Sequence, residues 1–267
     1  MSDHSTLSGT ALVTGASSGI GATYADRLAR RGHDLVLVAR SADKLEALAA
    51  RLRDQTGVNV DILSADLGNA RDLARVEQRL RDDTAIKILV NNAGIVGDGP
   101  LAGADADRLE AMIRVNVIAT TRLAAAIFPR LLATGDGAII NIASVTALMS
   151  GAFEPGYGAT KAYLLNFTEA LNAEASGSGV RIQAVLPGIT RTAIWDGPHA
   201  RLDLVPAEMV MEAGEMVDAA LAGLDQGEQV TIPSLPDAGD WENYVAAREA
   251  LAPNLSHRSA AARYRPR

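Results

Sequence analysis

Residues 14–21 read Thr14-Gly15-Ala16-Ser17-Ser18-Gly19-Ile20-Gly21, and the fold is decided by what stands on either side of them. Residues 7–14 are small and apolar enough for a short buried strand, and residues 22–31 have helical character. Gly15 can take backbone angles that a Cβ forbids, while Gly19 and Gly21 let backbone approach a ligand and helix approach sheet. The free N–H groups and positive dipole end of the following helix favour a pyrophosphate. The spacing is GxxxGxG rather than GxGxxG, and by itself it also suits an ordinary tight turn. Set between a strand and a helix at the head of an alternating pattern, it points to dinucleotide binding.

Outward from that turn the alternation continues. Residues 34–39 form a continuous apolar run of the buried parallel type. Ser41 is placed to cap the next helix, which carries Leu45, Leu48, Ala49 and Leu52 on one face. Residues 58–64 and 86–90 follow as strands, with a charged amphipathic helix between them. A long helical region over about residues 105–132 precedes a fifth strand at 137–142. The helix carrying Tyr157 ends near residues 177–179, residues 180–186 are a sixth strand stopped by Pro187, and residues 227–232 a seventh. The pattern predicts an α/β fold: a doubly wound, mostly parallel sheet (a Rossmann fold) of about seven strands with helices on both faces. One domain over residues 1–267 accommodates it, with a substrate lid near 191–210, a helix at 238–250, and a tail after 253 expected to be partly mobile.

Tyr157 and Lys161 stand four apart, which on a helix puts their Cβ atoms about 5–6 Å from each other. A free phenol titrates near pH ~10, too high for proton transfer at neutral pH. An ammonium about 5 Å away stabilises the phenolate by roughly 3 kcal/mol at an effective dielectric of about 20, about a hundredfold in acidity. Burial pushes the other way, so the scheme works only if the cation outweighs desolvation. The same spacing also suits an ordinary amphipathic helix.

Taken together, the ordered motifs resemble those of the short-chain dehydrogenase/reductase family over nearly all of the chain. Residues 14–21 resemble its cofactor loop, and Asn91-Asn92-Ala93-Gly94 the motif after its fourth strand. Asn116, Ser144, Tyr157 and Lys161 match its catalytic tetrad in order and spacing, and Pro187-Gly188-Ile189-Thr190-Arg191-Thr192 resembles the segment that contacts nicotinamide and phosphates. The resemblance implies reversible hydride transfer between nicotinamide and a carbonyl or alcohol carbon. Tyr157 would act as acid or base, Ser144 would hold the substrate oxygen, Lys161 would serve both Tyr157 and the ribose, and Asn116 would hold a water of a proton relay. It implies cofactor contacts from Gly15, Ser17, Ser18, Gly19, Ile20, Gly21, Asp66, Leu67, Asn92, Ala93, Gly94, Tyr157, Lys161, Pro187, Gly188, Ile189, Thr190 and Thr192. Without the resemblance, Ser144 would be a strand-end cap, Asn116 a surface residue and Asp66 a turn residue.

The second strand ends in Ala39-Arg40, where the diol-gripping carboxylate of an NAD(H) site is replaced by alanine followed by a guanidinium suited to a 2′-phosphate. NADP(H) is therefore expected over NAD(H), the alternative being a solvated Arg40. Leu148, Met149, Phe153, Ile194, Trp195 and Leu202 are expected around the substrate, which favours an apolar carbonyl or secondary alcohol. These residues could equally pack the lid onto the core, and a 3-oxoacyl thioester is the specific competitor. Glu154, Asp196 and His199 are expected to be loop residues outside the chemistry. A non-catalytic nucleotide-binding protein is the competing class, and an epimerase or dehydratase a further one. The Tyr157 helix is apolar nearly all round, which predicts a homodimer or homotetramer unless the intrachain core is unusually thick.

A formal charge of −7 gives no generic attraction to nucleic acid or anionic membrane. The four scattered histidines and the absence of cysteine predict no metal site and no disulfide. The first residues lack a signal-peptide pattern, and no uninterrupted apolar run reaches the roughly 20 residues of a membrane span. A soluble, cytoplasmic protein is expected.

Overall fold

The continuous apolar runs become the strands of one parallel sheet. The computed structural model of the protein describes residues 7–97, 99–151, 154–192 and 202–265. In chain order the strands are β1 (Thr10–Thr14), β2 (Leu35–Ala39), β3 (Val60–Ser64), β4 (Ile86–Asn91), β5 (Ala138–Ile142), β6 (Arg181–Val185), β7 (Thr190–Arg191), β8 (Met211–Glu212) and β9 (Val230–Thr231). Seven of them pair in the order β3-β2-β1-β4-β5-β6-β9, while β7 and β8 pair separately. Every pairing is parallel, with Leu12 of β1 beside Val36 on one side and Leu89 on the other. All five residues of β2 and of β5 are buried, as a sheet covered on both faces requires.

Strand alternation divides the core in two. Ala11, Val13, Leu37, Val90 and Ile140 face α1 (Gly19–Arg30), α2 (Ala42–Thr56) and α7 (Ala213–Gln226), through Tyr24, Leu28, Leu45, Leu52, Met216 and Leu221. Leu12, Val36, Val38, Leu89 and Ile139 face the other layer, built from α3 (Ala70–Asp82), α5 (Thr120–Thr134) and α6 (Pro155–Glu174). That layer contributes Leu73, Val76, Leu80, Leu123, Ile127, Phe128 and Leu171. Chain order reverses between β1 and β4, so a crevice opens at the carboxyl ends of the central strands.

Two expectations change in detail. Ser41 does occupy the N-cap position of α2, but its hydroxyl makes no cap hydrogen bond. The long helix is also not uniform: α4 (Ala106–Ile113) joins α5 through a π-helical turn, Arg114–Ala119. By length and composition alone the 29 residues Ala106–Thr134 could cross a bilayer. Their Leu123, Ala124, Ile127, Phe128 and Leu131 are instead packed on the sheet.

Packing separates Met1–Pro233 from a smaller unit, Ser234–Arg267. The second unit holds α8 (Ala238–Glu249), capped by Asp237 through the Gly239 N–H and carrying a stacked Trp241–Tyr244 pair. Residues 251–265 are exposed throughout.

Candidate active site

The turn between β1 and α1 is held by one hydroxyl and one amide. Thr14 Oγ1 donates to the Val90 carbonyl at 3.2 Å and accepts from the N–H groups of Asn92 and Ala93 at 2.9 and 3.0 Å. Asn92 Nδ2 donates to the Thr14 and Gly15 carbonyls at 2.9 and 3.3 Å. Gly15 has φ +65°, and a Cβ there would lie 2.7 Å from Asn92 Nδ2. A Cβ on Gly21 would overlap the Gly15 carbonyl oxygen and Asn92 Nδ2, so glycine is what lets α1 start this close to the turn. Ser18 is the N-cap of α1, and its hydroxyl caps none of the helix amides. A helix N-terminus with uncapped amides behind a cradle without Cβ atoms fits a pyrophosphate.

The remaining residues expected at the cofactor lie along the same sheet edge. Ile20 and Ala93 pack against the two halves of the core, and Ser17 is half-buried. Arg40, past the end of β2, is exposed, and its guanidinium has no hydrogen bond or ion pair among the described residues. Past β3, Asp66 accepts the Gly68 N–H at 2.9 Å while Leu67 is buried. The Pro187 carbonyl accepts the Val145 N–H at 3.0 Å, Thr190 Oγ1 donates to the Gly188 carbonyl, and the Ile189 carbonyl accepts the Met211 N–H. The segment then reaches α1, where a Cβ on Gly19 would lie 3.1 Å from the Thr192 side chain.

Ser144, Tyr157, Lys161 and Asn116 meet between β5, the π turn and α6. Ser144 lies just past β5 and caps the short 3-10 turn Val145–Ala147; its Oγ accepts the Thr146 N–H at 3.2 Å and hydrogen-bonds Tyr157. Pro155 opens α6 at a position where its missing N–H costs nothing. Lys161 is buried, donates from Nζ to the Ile142 carbonyl at 2.8 Å, and lies 5.5 Å from the Tyr157 ring centre. Asn116, 1% exposed, is aimed inward from the π turn. Its Oδ1 accepts the Ile95 N–H, and its Nδ2 donates to the Ile95 carbonyl and to Thr160 Oγ1, at 2.9, 2.9 and 3.1 Å. Gly94 leaves the space between them open, since a Cβ there would stand 3.3 Å from Asn116 Oδ1 and 3.7 Å from Lys161 Nζ.

The electrostatics differ from the expectation that the ammonium lowers the phenol. Burial pushes the Tyr157 hydroxyl up to about 12; the Ser144 hydrogen bond pulls it down, and the Glu154 carboxylate adds to the rise. Burial likewise brings Lys161 down to about 8. Desolvation is the largest influence on both groups, and Tyr157 carries its proton at neutral pH.

Several features have no local signature in the sequence. The π turn at Asn116, the Thr160 partner and the Thr14 hydroxyl network depend on residues far apart in the chain. Glu154, expected to be an incidental loop residue, takes the N–H groups of Gly97 and Gly99. Leu148 and Leu202 are partly buried and Met149 is exposed, whereas Phe153, Ile194, Trp195, Asp196 and His199 lie outside the described residues.

A family model described as short chain dehydrogenase matches residues 9–201. Among solved structures, a short-chain dehydrogenase from Sphingobium yanoikuyae in complex with NADPH is 51% identical, with a TM-score of 0.93, covering 96% of this chain and 100% of that one. A bulky-bulky ketone specific alcohol dehydrogenase from Comamonas testosteroni is 45% identical, with a TM-score of 0.90 and coverage of 97% and 99%. Hydroxysteroid dehydrogenase-like protein 1 of Gallus gallus is 33% identical over 184 residues, 68% of this chain, and the match spans 56% of that protein's length.

Proposed function

This chain belongs to the short chain dehydrogenase family, and from that premise we propose that it is an NADP(H)-dependent oxidoreductase interconverting a bulky apolar ketone and its secondary alcohol. The observation that carries this is the Ser144–Tyr157 hydrogen bond beside the buried Lys161 ammonium. Gly15, Ser17, Ser18, Gly19, Ile20 and Gly21 would hold the pyrophosphate, Arg40 the 2′-phosphate, and Asp66 and Leu67 the adenine. Asn92, Ala93, Gly94, Pro187, Gly188, Ile189, Thr190 and Thr192 would line the nicotinamide end. The Arg40 guanidinium, unpartnered among the described residues, and the NADPH-bound relative support NADP(H), and the ketone-specific relative supports the substrate class.

When bound, the nicotinamide supplies a hydride to the carbonyl carbon. Tyr157, protonated at neutral pH, donates its proton to the carbonyl oxygen in the same direction. Ser144 Oγ accepts the Thr146 N–H, and its own O–H, shared with Tyr157, would donate to that oxygen as negative charge develops. The Tyr157 phenolate left behind is stabilised by the Lys161 ammonium, which the Ile142 carbonyl holds in place. Asn116 positions the floor of the site by gripping both polar groups of Ile95.

We also propose assembly as a homodimer or homotetramer through the outer faces of α4, α5 and α6. Ile113, Ile118 and Tyr163 are 47, 45 and 38% exposed there, more apolar surface than a lone helix layer needs to leave open.

A carbonyl panel assayed with NADPH and NADH in parallel tests the function. Turnover of aryl or branched ketones, with kcat/KM at least about tenfold higher for NADPH, is expected. Turnover confined to 3-oxoacyl thioesters, a preference for NADH, or nucleotide binding without turnover of any carbonyl would overturn it.

A further inference from the structure

Glu154 is the N-cap residue of α6, three positions before Tyr157, yet its side chain makes no cap hydrogen bond to its own helix. It turns to the loop after β4: Oε1 accepts the Gly97 N–H at 2.5 Å and Oε2 the Gly99 N–H at 2.9 Å. Hydrogen bonds to a carboxylate are about twice as strong as neutral ones. The near end of that loop is gripped by Asn116 at Ile95. The chain therefore leaves the neighbourhood of Lys161 at Gly94 and is pinned again at Gly97 and Gly99 by Glu154, three residues before Tyr157. Val96, between the pins, is 38% exposed. Gly97 has no left-handed backbone; a Cβ there would lie 2.7 Å from Glu154 Oε2, so alanine would push the carboxylate aside.

We propose that Glu154 is a positioning residue that clasps Gly97 and Gly99 to the start of α6, fixing Ile95 and Val96 as a wall beside Tyr157 that limits which carbonyl substrates enter. The proposal rests on the oxidoreductase function above. Glu154 touches no reacting atom in this scheme; it acts chiefly through the loop, its charge being the smallest of the influences on the Tyr157 hydroxyl. A bulky substrate would bind against a wall already fixed, so the clasp acts on substrate affinity more than on the chemical step.

The test compares Glu154→Gln, Glu154→Ala, Gly97→Ala and the Glu154→Ala/Gly97→Ala pair. Amide hydrogen exchange is read first, because it needs no turnover. The Gly97 and Gly99 amides are expected to be protected in the wild type, to lose protection in Glu154→Ala, and to lose part of it in Glu154→Gln, which keeps one acceptor oxygen. In steady state, KM for a bulky ketone is expected to rise roughly tenfold in Glu154→Ala, with kcat within about twofold and NADPH affinity unchanged. Gly97→Ala pushes on the same contact from the other side, so the pair should cost no more than either change alone. Unchanged protection in Glu154→Ala, lost protection with unchanged KM, or additive effects in the pair would overturn the clasp. A wild type without carbonyl turnover would overturn the oxidoreductase function instead, and the exchange result would still decide the clasp.

Discussion

The turn between β1 and α1 and the loop after β4 are both glycine-rich, and they are held in opposite ways. The turn is fixed by neutral groups and contact: Thr14 and Asn92 supply its hydrogen bonds, and a Cβ at Gly21 has nowhere to go. The loop is fixed by side chains reaching in from afar, Asn116 at a separation of 21 residues and Glu154 at 55 and 57. Asn92 also reaches the turn across 77 and 78 residues, but Thr14 and Asn92 both stand inside glycine motifs, whereas Glu154 stands in none. The turn is accordingly legible in the sequence, while Glu154 as a partner of the loop emerges only from the structure.

The largest expected effect breaks the packed turn. Gly21→Ala should abolish measurable nucleotide binding and lower stability by about 1–3 kcal/mol, the usual cost of overpacking; titration and a denaturation midpoint check both. A variant that binds NADPH normally would show that the turn has slack. Arg40→Ala is a smaller change that sharpens the comparison, because Arg40 is the cation assigned to the 2′-phosphate. NADPH affinity should fall by roughly ten- to hundredfold with NADH affinity unchanged; equal losses for both nucleotides would argue against a 2′-phosphate contact.

The effect confined to alkaline pH concerns titration. Residues 14–21 contain no ionisable side chain, whereas Lys161 is buried and brought from 10.5 down to about 8. Between those two pH values the unfolded chain holds the extra proton, so Lys161 makes stability rise with pH there, by at most ~1.4 kcal/mol per pH unit. Below about 8 the cost of the buried charge is present in full. Lys161→Met should lack that rise when denaturation midpoints are compared from about pH 7 to about pH 10. Parallel pH profiles for the two proteins would mean that Lys161 is solvated.

The parts of the fold that were legible are those with a period or a run. β2 and β5 are fully buried and read as unbroken apolar stretches, and Tyr157 and Lys161 share a helix face because they are four apart. The π turn was not legible, since nothing in residues 114–119 marks an i→i+5 pattern, although such turns recur at functional sites. The direction of the Tyr157 shift was not legible either: spacing locates the cation, but only the packing around Ile142 and Ser144 reveals how much water both groups lose. Ser41 shows the converse, a correct cap position without the hydrogen bond that the residue type suggests.

The central claim is that Tyr157 delivers the proton while other residues hold the nucleotide. Wild type and Tyr157→Phe should be compared for ketone reduction and, on the same samples, for NADPH affinity. The account predicts a loss of kcat of about 10²–10⁴-fold with NADPH affinity essentially unchanged. Turnover that survives the loss of the hydroxyl would contradict it.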